Sequence, residues 1–210
     1  MAREFRFRDV VVVIATLLVL LAAVVVVPAF SRAKAKALRI QCVSNLSQQR
    51  LGFVIWSDDH NGFYPMQLST NQGGAMEDVN AGRLPRLFQI MAEGLANPKL
   101  LSCPSDTRAP ATNLQSLTIS NISYFVGIDA STNRPEVLLL GDRNLAVNGK
   151  LLSGLVDLGA DSSVTWTETL HNKGGNVVPS IGNVVQVNPD QLRLHLRLSG
   201  DRTNRLFFPQ

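Results

Sequence analysis

Between Asp9 and Pro28 the chain runs for eighteen residues, Val10 to Val27, with a single polar side chain, Thr16. A helix over that run rises about 27 Å, against about 30 Å for the hydrocarbon core of a bilayer. Ala29 and Phe30 extend the apolar stretch beyond the proline. In lipid every backbone N–H and C=O has to be paired within the segment. The run is therefore expected to be helical, although valine is a weak helix former in water. A cleaved secretory leader is a competing reading, but its apolar part is only about 7 to 15 residues long. Pro28-Ala29-Phe30-Ser31 is also a poor cleavage site. The expectation is a membrane anchor over residues 10–30, preceded by a basic tail, residues 1–9.

Beyond the anchor about 180 residues remain, enough for one domain with a buried core. The formal net charge is only +4, and the basic excess is local. Arg3, Arg6 and Arg8 precede the apolar run, and Arg32, Lys34, Lys36 and Arg39 follow it. Such flanks suit anionic head groups. No basic stripe interleaved with aromatics recurs later, so nucleic acid is not an expected partner. From Ser31 to Ser57 the pattern stays helical. Leu38, Cys42 and Leu46 recur every four residues with Ile40 and Val43 beside them, while Lys34, Lys36, Arg39, Gln48 and Arg50 fill the other side. This predicts an amphipathic stem, residues 31–57, continuous with the anchor and kinked at Pro28.

Residues 58–210 read as a β-rich globular domain. Asp58-Asp59-His60-Asn61-Gly62 offers acids and a histidine. No series of ligands at alternate positions follows, so the segment is read as a helix stop with Gly62 at positive φ rather than a cation loop. Residues 66–83 read as loop, 83–95 as a short helix and Cys103-Pro-Ser-Asp106 as a tight turn. Strands are expected at 119–126, 137–140, 164–169 and 176–178. Gln191 to Leu198 places leucine at 192, 194, 196 and 198, a period of two that predicts a strand. A helix there stays open as the alternative, because Pro189-Asp190 is a good helix start.

No chemistry stands out. His171, Asp142, Asp106 and several serines could be assembled on paper into a catalytic set. The chain has no G-x-S-x-G elbow, no H-E-x-x-H, no Gly-rich phosphate loop before a helix, and three histidines in all. His171 is read as a turn residue whose ring bonds to nearby backbone, and Asp142 as the end of a buried strand capping the next turn. Neither an enzyme nor a metal or cofactor is expected. Cys42 and Cys103, the two cysteines, fit no zinc spacing and no C-x-x-C motif. In an oxidising compartment they could form one disulfide, tying stem to domain.

Phe5-Arg-Phe-Arg-Asp9 followed by Val10 to Ala15 resembles the N-terminus of type IV pilins and type II secretion pseudopilins, where Phe-Thr-Leu-Ile-Glu opens an apolar helix. The alignment puts processing between Glu4 and Phe5, with Glu4 in place of the family's glycine and Arg6 and Arg8 in place of uncharged residues. Asp9 takes the place of the family's acidic residue. Ala33-Lys-Ala-Lys-Ala37 through Ile40-Gln-Cys42-Val-Ser-Asn45-Leu46 is similar to the stem of a pseudopilin-like group with a C-terminal histidine-glycine block. Ser123-Tyr-Phe-Val-Gly127, Leu139-Leu-Gly-Asp-Arg-Asn144 and His171-Asn-Lys-Gly174-Gly175-Asn176-Val177 with Gly182 resemble that group's later blocks. There a histidine is followed after nine residues by Asp-Gly, whereas here Ile181 stands in place of the aspartate.

The resemblance implies an α+β fold, a long N-terminal helix packed on a small antiparallel sheet. It implies a structural subunit, anchored in a bacterial inner membrane with its domain outside, that self-associates and meets other pilin-like subunits through its N-terminal helix. Phe5, Phe7 and Asp9 would serve assembly, and a prepilin peptidase would be a processing partner with methylation at Phe5. A positive-inside count of four basic residues after the span against three before points weakly the other way. The alternatives are a single-pass binding protein that does not polymerise and, more remotely, a membrane-anchored hydrolase.

Overall fold

The computed structural model describes residues 7–95, 97–159 and 162–209. Glu4 and Phe5, the expected processing pair, lie outside the described residues. The chain forms two compact units, residues 1–37 and 38–210. Helix α1 (Phe7–Asp59) has 53 residues and continues through Pro28. Within the first unit every described side chain, Phe7 to Ala37, is exposed. By length and apolar composition this segment can cross a membrane.

Within the second unit α1 changes character. Cys42, Asn45, Leu46, Gln49, Gly52, Phe53, Trp56 and Ser57 are buried, a stripe at spacings of three and four that is one face of a helix. The helix stops where Asn61 and Gly62 take positive φ, 55° and 81°, and the Gly62 N–H donates to Ser57 O at 2.8 Å. That bond satisfies a carbonyl the helix end would otherwise orphan. The stretch read as loop holds the short helix α2 (Met76–Asn80), and α3 (Leu84–Ile90) follows with Leu84, Leu87 and Phe88 buried.

The strands are β1 (Tyr124–Gly127), β2 (Leu138–Asp142), β3 (Leu145–Val147), β4 (Lys150–Leu151), β5 (Gly154–Asp157), β6 (Val164–Trp166), β7 (Gly175–Pro179), β8 (Val185–Val187) and β9 (Arg205–Phe208). Six form one antiparallel sheet in the order β5-β9-β1-β2-β7-β8, and β4-β3-β6 form a second. The class is α+β. Both faces of the larger sheet are covered. Tyr124, Val126, Leu140, Val178 and Phe207 join the core that contains Cys42, Leu46 and Phe53 of the stem. Phe125, Leu138, Val177, Leu206 and Phe208 point to a second core, with Leu145, Val164 and Trp166 of the smaller sheet. Strands buried on both faces read as continuous apolar runs rather than alternating ones. Gly141 is required where it stands, since a Cβ there would lie 2.5 Å from the Phe125 ring.

Two expectations need correction. Residues 119–126 are not one strand: a 3-10 turn over Ile119–Asn121 precedes β1. The leucine stripe is not a strand but helix α4 (Pro189–Leu198). Asn188 caps it by accepting from Gln191 N, the Gln191 side chain returns the bond, and Pro189 occupies the first turn. Leu192 and Leu196, one helical turn apart, enter the second core, while Leu194 and Leu198 are exposed.

Candidate functional site

Of the residues expected to serve assembly, Phe7 and Asp9 are described. Both lie in the first turn of α1 and both are exposed, Phe7 at 83%. A carboxylate in the first turn also suits the positive end of the helix dipole. The apolar run behind them presents Leu17, Leu18, Val19, Leu20, Leu21, Val24 and Val25, each exposed.

The second candidate site is polar, buried and entirely within residues 38–210. Cys42 of the stem is joined to Cys103, in the turn after the 3-10 helix Pro98–Leu101, by a disulfide spanning 61 positions. One helical turn on, Asn45 Nδ2 donates to Ser102 O at 3.0 Å, and a further turn on Gln49 Nε2 donates to Leu100 O at 2.7 Å. One turn back, Arg39 donates to Gly175 O at 3.2 Å, with Asn176 Oδ1 3.5 Å from its Nε. One face of the stem is thus hydrogen-bonded to the segment Leu100–Ser102 and to the start of β7, and is covalently linked to Cys103 next to the first of these.

Against the disulfide lies His171. Its Nε2 is 3.6 Å from Cys103 Sγ and 3.4 Å from Asp142 Oδ2. The expectation that this ring bonds to nearby backbone is therefore wrong: its contacts are a strand-end carboxylate and a sulfur distant in sequence. Asp142 does not cap the turn after its strand either. Its Oδ2 accepts from the backbone N–H of Asn176 at 2.7 Å and from Asn176 Nδ2 at 2.9 Å, pinning β2 to β7, while Oδ1 is buried without a partner. The turn after His171 holds Asn172 and Lys173 at positive φ, 50° and 63°. Gly174 and Gly175 follow because bulk is barred: a Cβ on Gly175 would sit 2.3 Å from the Trp166 ring, and one on Gly174 would crowd the Arg39 guanidinium. Gly182 has φ 134°.

Burial governs the charges. It pushes the Asp142 carboxyl up to about 7, against the opposing pull of the Asn176 backbone bond and of Arg39. Burial lowers the His171 imidazole to about 4, and the Arg39 charge adds to that effect. The pair at 3.4 Å is therefore not an imidazolium–carboxylate bridge at neutral pH, because the ring stays neutral. Asp106 is committed elsewhere. Burial raises it, but two 2.7 Å bonds from Arg143 outweigh that and hold it below the usual carboxylate range. With both sulfurs bonded to each other, no thiol nucleophile faces His171.

Sequence reasoning singled out Cys42, Cys103, Asp142, His171, Gly174 and Gly175 separately but did not bring them together. It missed Arg39 and Asn176 as site residues. Their contact spans 137 positions, and no local spacing announces such a contact. Comparison of the chain with protein-family models, with curated proteins and with solved structures finds no match.

Proposed function

We propose that this chain is a pilin-like, membrane-anchored subunit that assembles through its N-terminal helix into a filament of the type II secretion or type IV pilus kind. Its α+β domain stands on the extracytoplasmic side of a bacterial inner membrane. The observation that carries this reading is a helix exposed at every described residue from Phe7 to Ala37 that runs on, unbroken, into the core of a sheet domain. An apolar face of that extent needs lipid or other helices as its solvent. β-Branched valines hold essentially one rotamer in a helix and so lose little side-chain entropy when packed.

In this reading Asp9 sets the register between subunits. A carboxylate at the edge of a low-dielectric helix bundle is costly unless matched by a cation, and a neighbouring subunit's N-terminal amine supplies one. The Cys42–Cys103 disulfide supports an oxidising, extracytoplasmic location for the domain. The buried His171–Asp142 pair is part of the framework that holds the stem, with no catalytic role.

Intact mass of the full chain purified from membranes tests the reading. An N-terminus at methylated Phe5 supports it, and a retained Met1 overturns the mature-filament form. Glu4, in place of the family's glycine, favours the second reading, a single-pass binding protein that does not polymerise. Because Cys42 and Cys103 are joined, Val19→Cys introduces the one reactive thiol. The subunit reading expects crosslinks between copies through that thiol in the membrane, and the second reading expects none.

A further inference from the structure

The donor atoms around the stem disulfide have the composition and spacing of a metal site. Cys42 Sγ, Cys103 Sγ and His171 Nε2 lie within 4.8 Å of one another, and Asp142 Oδ2 is 3.4 Å from the same imidazole nitrogen. With zinc–sulfur distances near 2.3 Å and zinc–nitrogen or zinc–oxygen distances near 2.0 to 2.1 Å, donors sharing a tetrahedral zinc sit about 3.3 to 3.8 Å apart. The His171 Nε2 separations from Cys103 Sγ, 3.6 Å, and from Asp142 Oδ2, 3.4 Å, fall in that range. To close the set the two sulfurs, now bonded to each other, have to part, and the Asp142 carboxylate, which lies close to His171 but outside the 4.8 Å group of the other three donors, has to move in toward them. We propose that in the dithiol state Cys42, Cys103, His171 and Asp142 form a tetrahedral zinc site, so that a disulfide and a Zn²⁺ ion are alternative closures of one stem–sheet joint.

The surroundings fit this use. Each ligand comes from a different segment: the stem helix, the turn after Leu101, the end of β2 and the turn before β7. A metal would hold together the same parts that the disulfide holds. Asn176 orients the Asp142 carboxylate through two N–H bonds, the arrangement that outer-shell partners give a ligating carboxylate. Those two bonds occupy Asp142 Oδ2, and Oδ1, buried and without a partner, is the oxygen left to turn to the ion. Two thiolates and one carboxylate around Zn²⁺ carry a net charge of −1, and the Arg39 guanidinium beside Gly175 and Asn176 offsets it. A cleft lined by Gln41, Asn45, Ser102 and Arg108 leads to Cys103.

The chemistry balances. A dithiol reductant transfers two electrons and two protons to the Cys42–Cys103 bond and is itself oxidised to a disulfide. The two thiols then release two protons as the ion binds. The proposal does not rest on the filament reading and holds for a monomeric anchor as well.

The test uses the full chain in detergent, reduced with a phosphine under argon and titrated with Co²⁺ alone, then with Zn²⁺. The expected result is one Co²⁺ per chain, with a thiolate-to-cobalt charge-transfer band in the near ultraviolet and the strong red-region bands of tetrahedral cobalt. Zn²⁺ should abolish both and protect two thiols from alkylation, and the oxidised chain should give neither band. His171→Ala should weaken zinc binding by more than about tenfold, since even outer-shell losses cost roughly 10- to 100-fold. If a variant does not fold, the unmutated chain decides. A weak octahedral cobalt spectrum, or two thiols still reactive at saturating zinc, overturns the proposal. If reduction unfolds the chain, zinc should restore the fold, and a chain that stays unfolded with metal present overturns it equally.

Discussion

The two halves of α1 invert the usual relation between polarity and burial. From Val10 to Val27 the helix is almost wholly apolar, and its own chain buries none of it. From Leu38 to Asp59 the helix is mixed, yet its own domain buries Asn45, Gln49 and Ser57 together with Cys42, Leu46 and Phe53. The first half depends on a solvent that the chain does not contain. The second half is held by partners within the chain: a covalent bond, hydrogen bonds to backbone carbonyls and a shared core. Hydropathy alone does not say which apolar residues will be covered or by what. What distinguishes the halves is whether polar side chains interrupt the face and find carbonyls to bond.

The largest expected effect tests the covalent part of that difference. Cross-linking residues 61 positions apart removes denatured-state entropy worth about 4 kcal/mol on the chain-entropy account. Cys103→Ala, in metal-free buffer, should lower the domain's unfolding free energy by that order in denaturant titrations followed by tryptophan fluorescence. The anchor's partition into membranes should stay as it was. A loss below about 1 kcal/mol would show that the noncovalent contacts of the stem suffice.

A paired substitution then separates the halves directly. Val19→Arg puts a charge at the middle of the apolar run at a cost of about 3 kcal/mol on the insertion scale, and should move chain from the membrane fraction to the soluble or aggregated fractions. The domain's unfolding in detergent should not change. Leu46→Ala should do the reverse, costing about 2 to 5 kcal/mol of domain stability with membrane partition intact. If Leu46→Ala left unfolding untouched, the stem would not belong to the core as described.

The buried pair at the joint gives an effect of both signs. Asp142, raised from 3.8 to about 7, contributes stability that is present below its unfolded value and lost as pH rises through about 7. His171, lowered from 6.5 to about 4, contributes stability that is present above pH 6.5 and lost as pH falls through about 4. Between pH 5 and about pH 6.5 the two slopes oppose, each roughly 2 kcal/mol. The unmutated domain should therefore be nearly flat over that window. Asp142→Asn should expose the histidine slope, with stability rising from pH 5 to about pH 6.5, and His171→Gln should expose the carboxyl slope, with stability falling over the same range. Thermal unfolding at the two pH values checks both signs, and equal slopes in the two variants would refute the assignment.

How far the fold could be read from sequence follows from how local each signal is. The apolar run, the stem stripe and the Asn61-Gly62 stop depend on neighbours within a few turns, and they map directly onto α1 and its end. β3, β4, β5, β8 and β9 were not anticipated: they are two to four residues long, and β9 lies between β5 and β1 only because of pairings with residues far away in sequence. Alternating leucines were misleading at 192–198. On a helix Leu194 falls about 200° round from Leu192, so half the stripe faces water, and the reciprocal Asn188–Gln191 cap decides between the two periods. The joint was the least legible part. Its residues lie at 39, 42, 103, 142, 171 and 176, and only the folded sheet brings them together.

The smallest effect returns to single polar side chains on the two halves of α1. Gln49 is buried and donates to Leu100 O, so Gln49→Ala removes one bond and leaves that carbonyl unpaired, a cost of about 1 to 2 kcal/mol. Thr16, the one polar residue in the apolar run, donates only to Val13 O one turn earlier on its own helix, and it is exposed. Thr16→Ala gives up no contact with the domain and should leave unfolding within about 0.5 kcal/mol of the unmutated chain. Measured by the same denaturant titration, equal losses for the two would mean that the halves of α1 unfold as one unit. A loss confined to Gln49→Ala would mean that the polar face, and not helix continuity, is what couples the stem to the sheet.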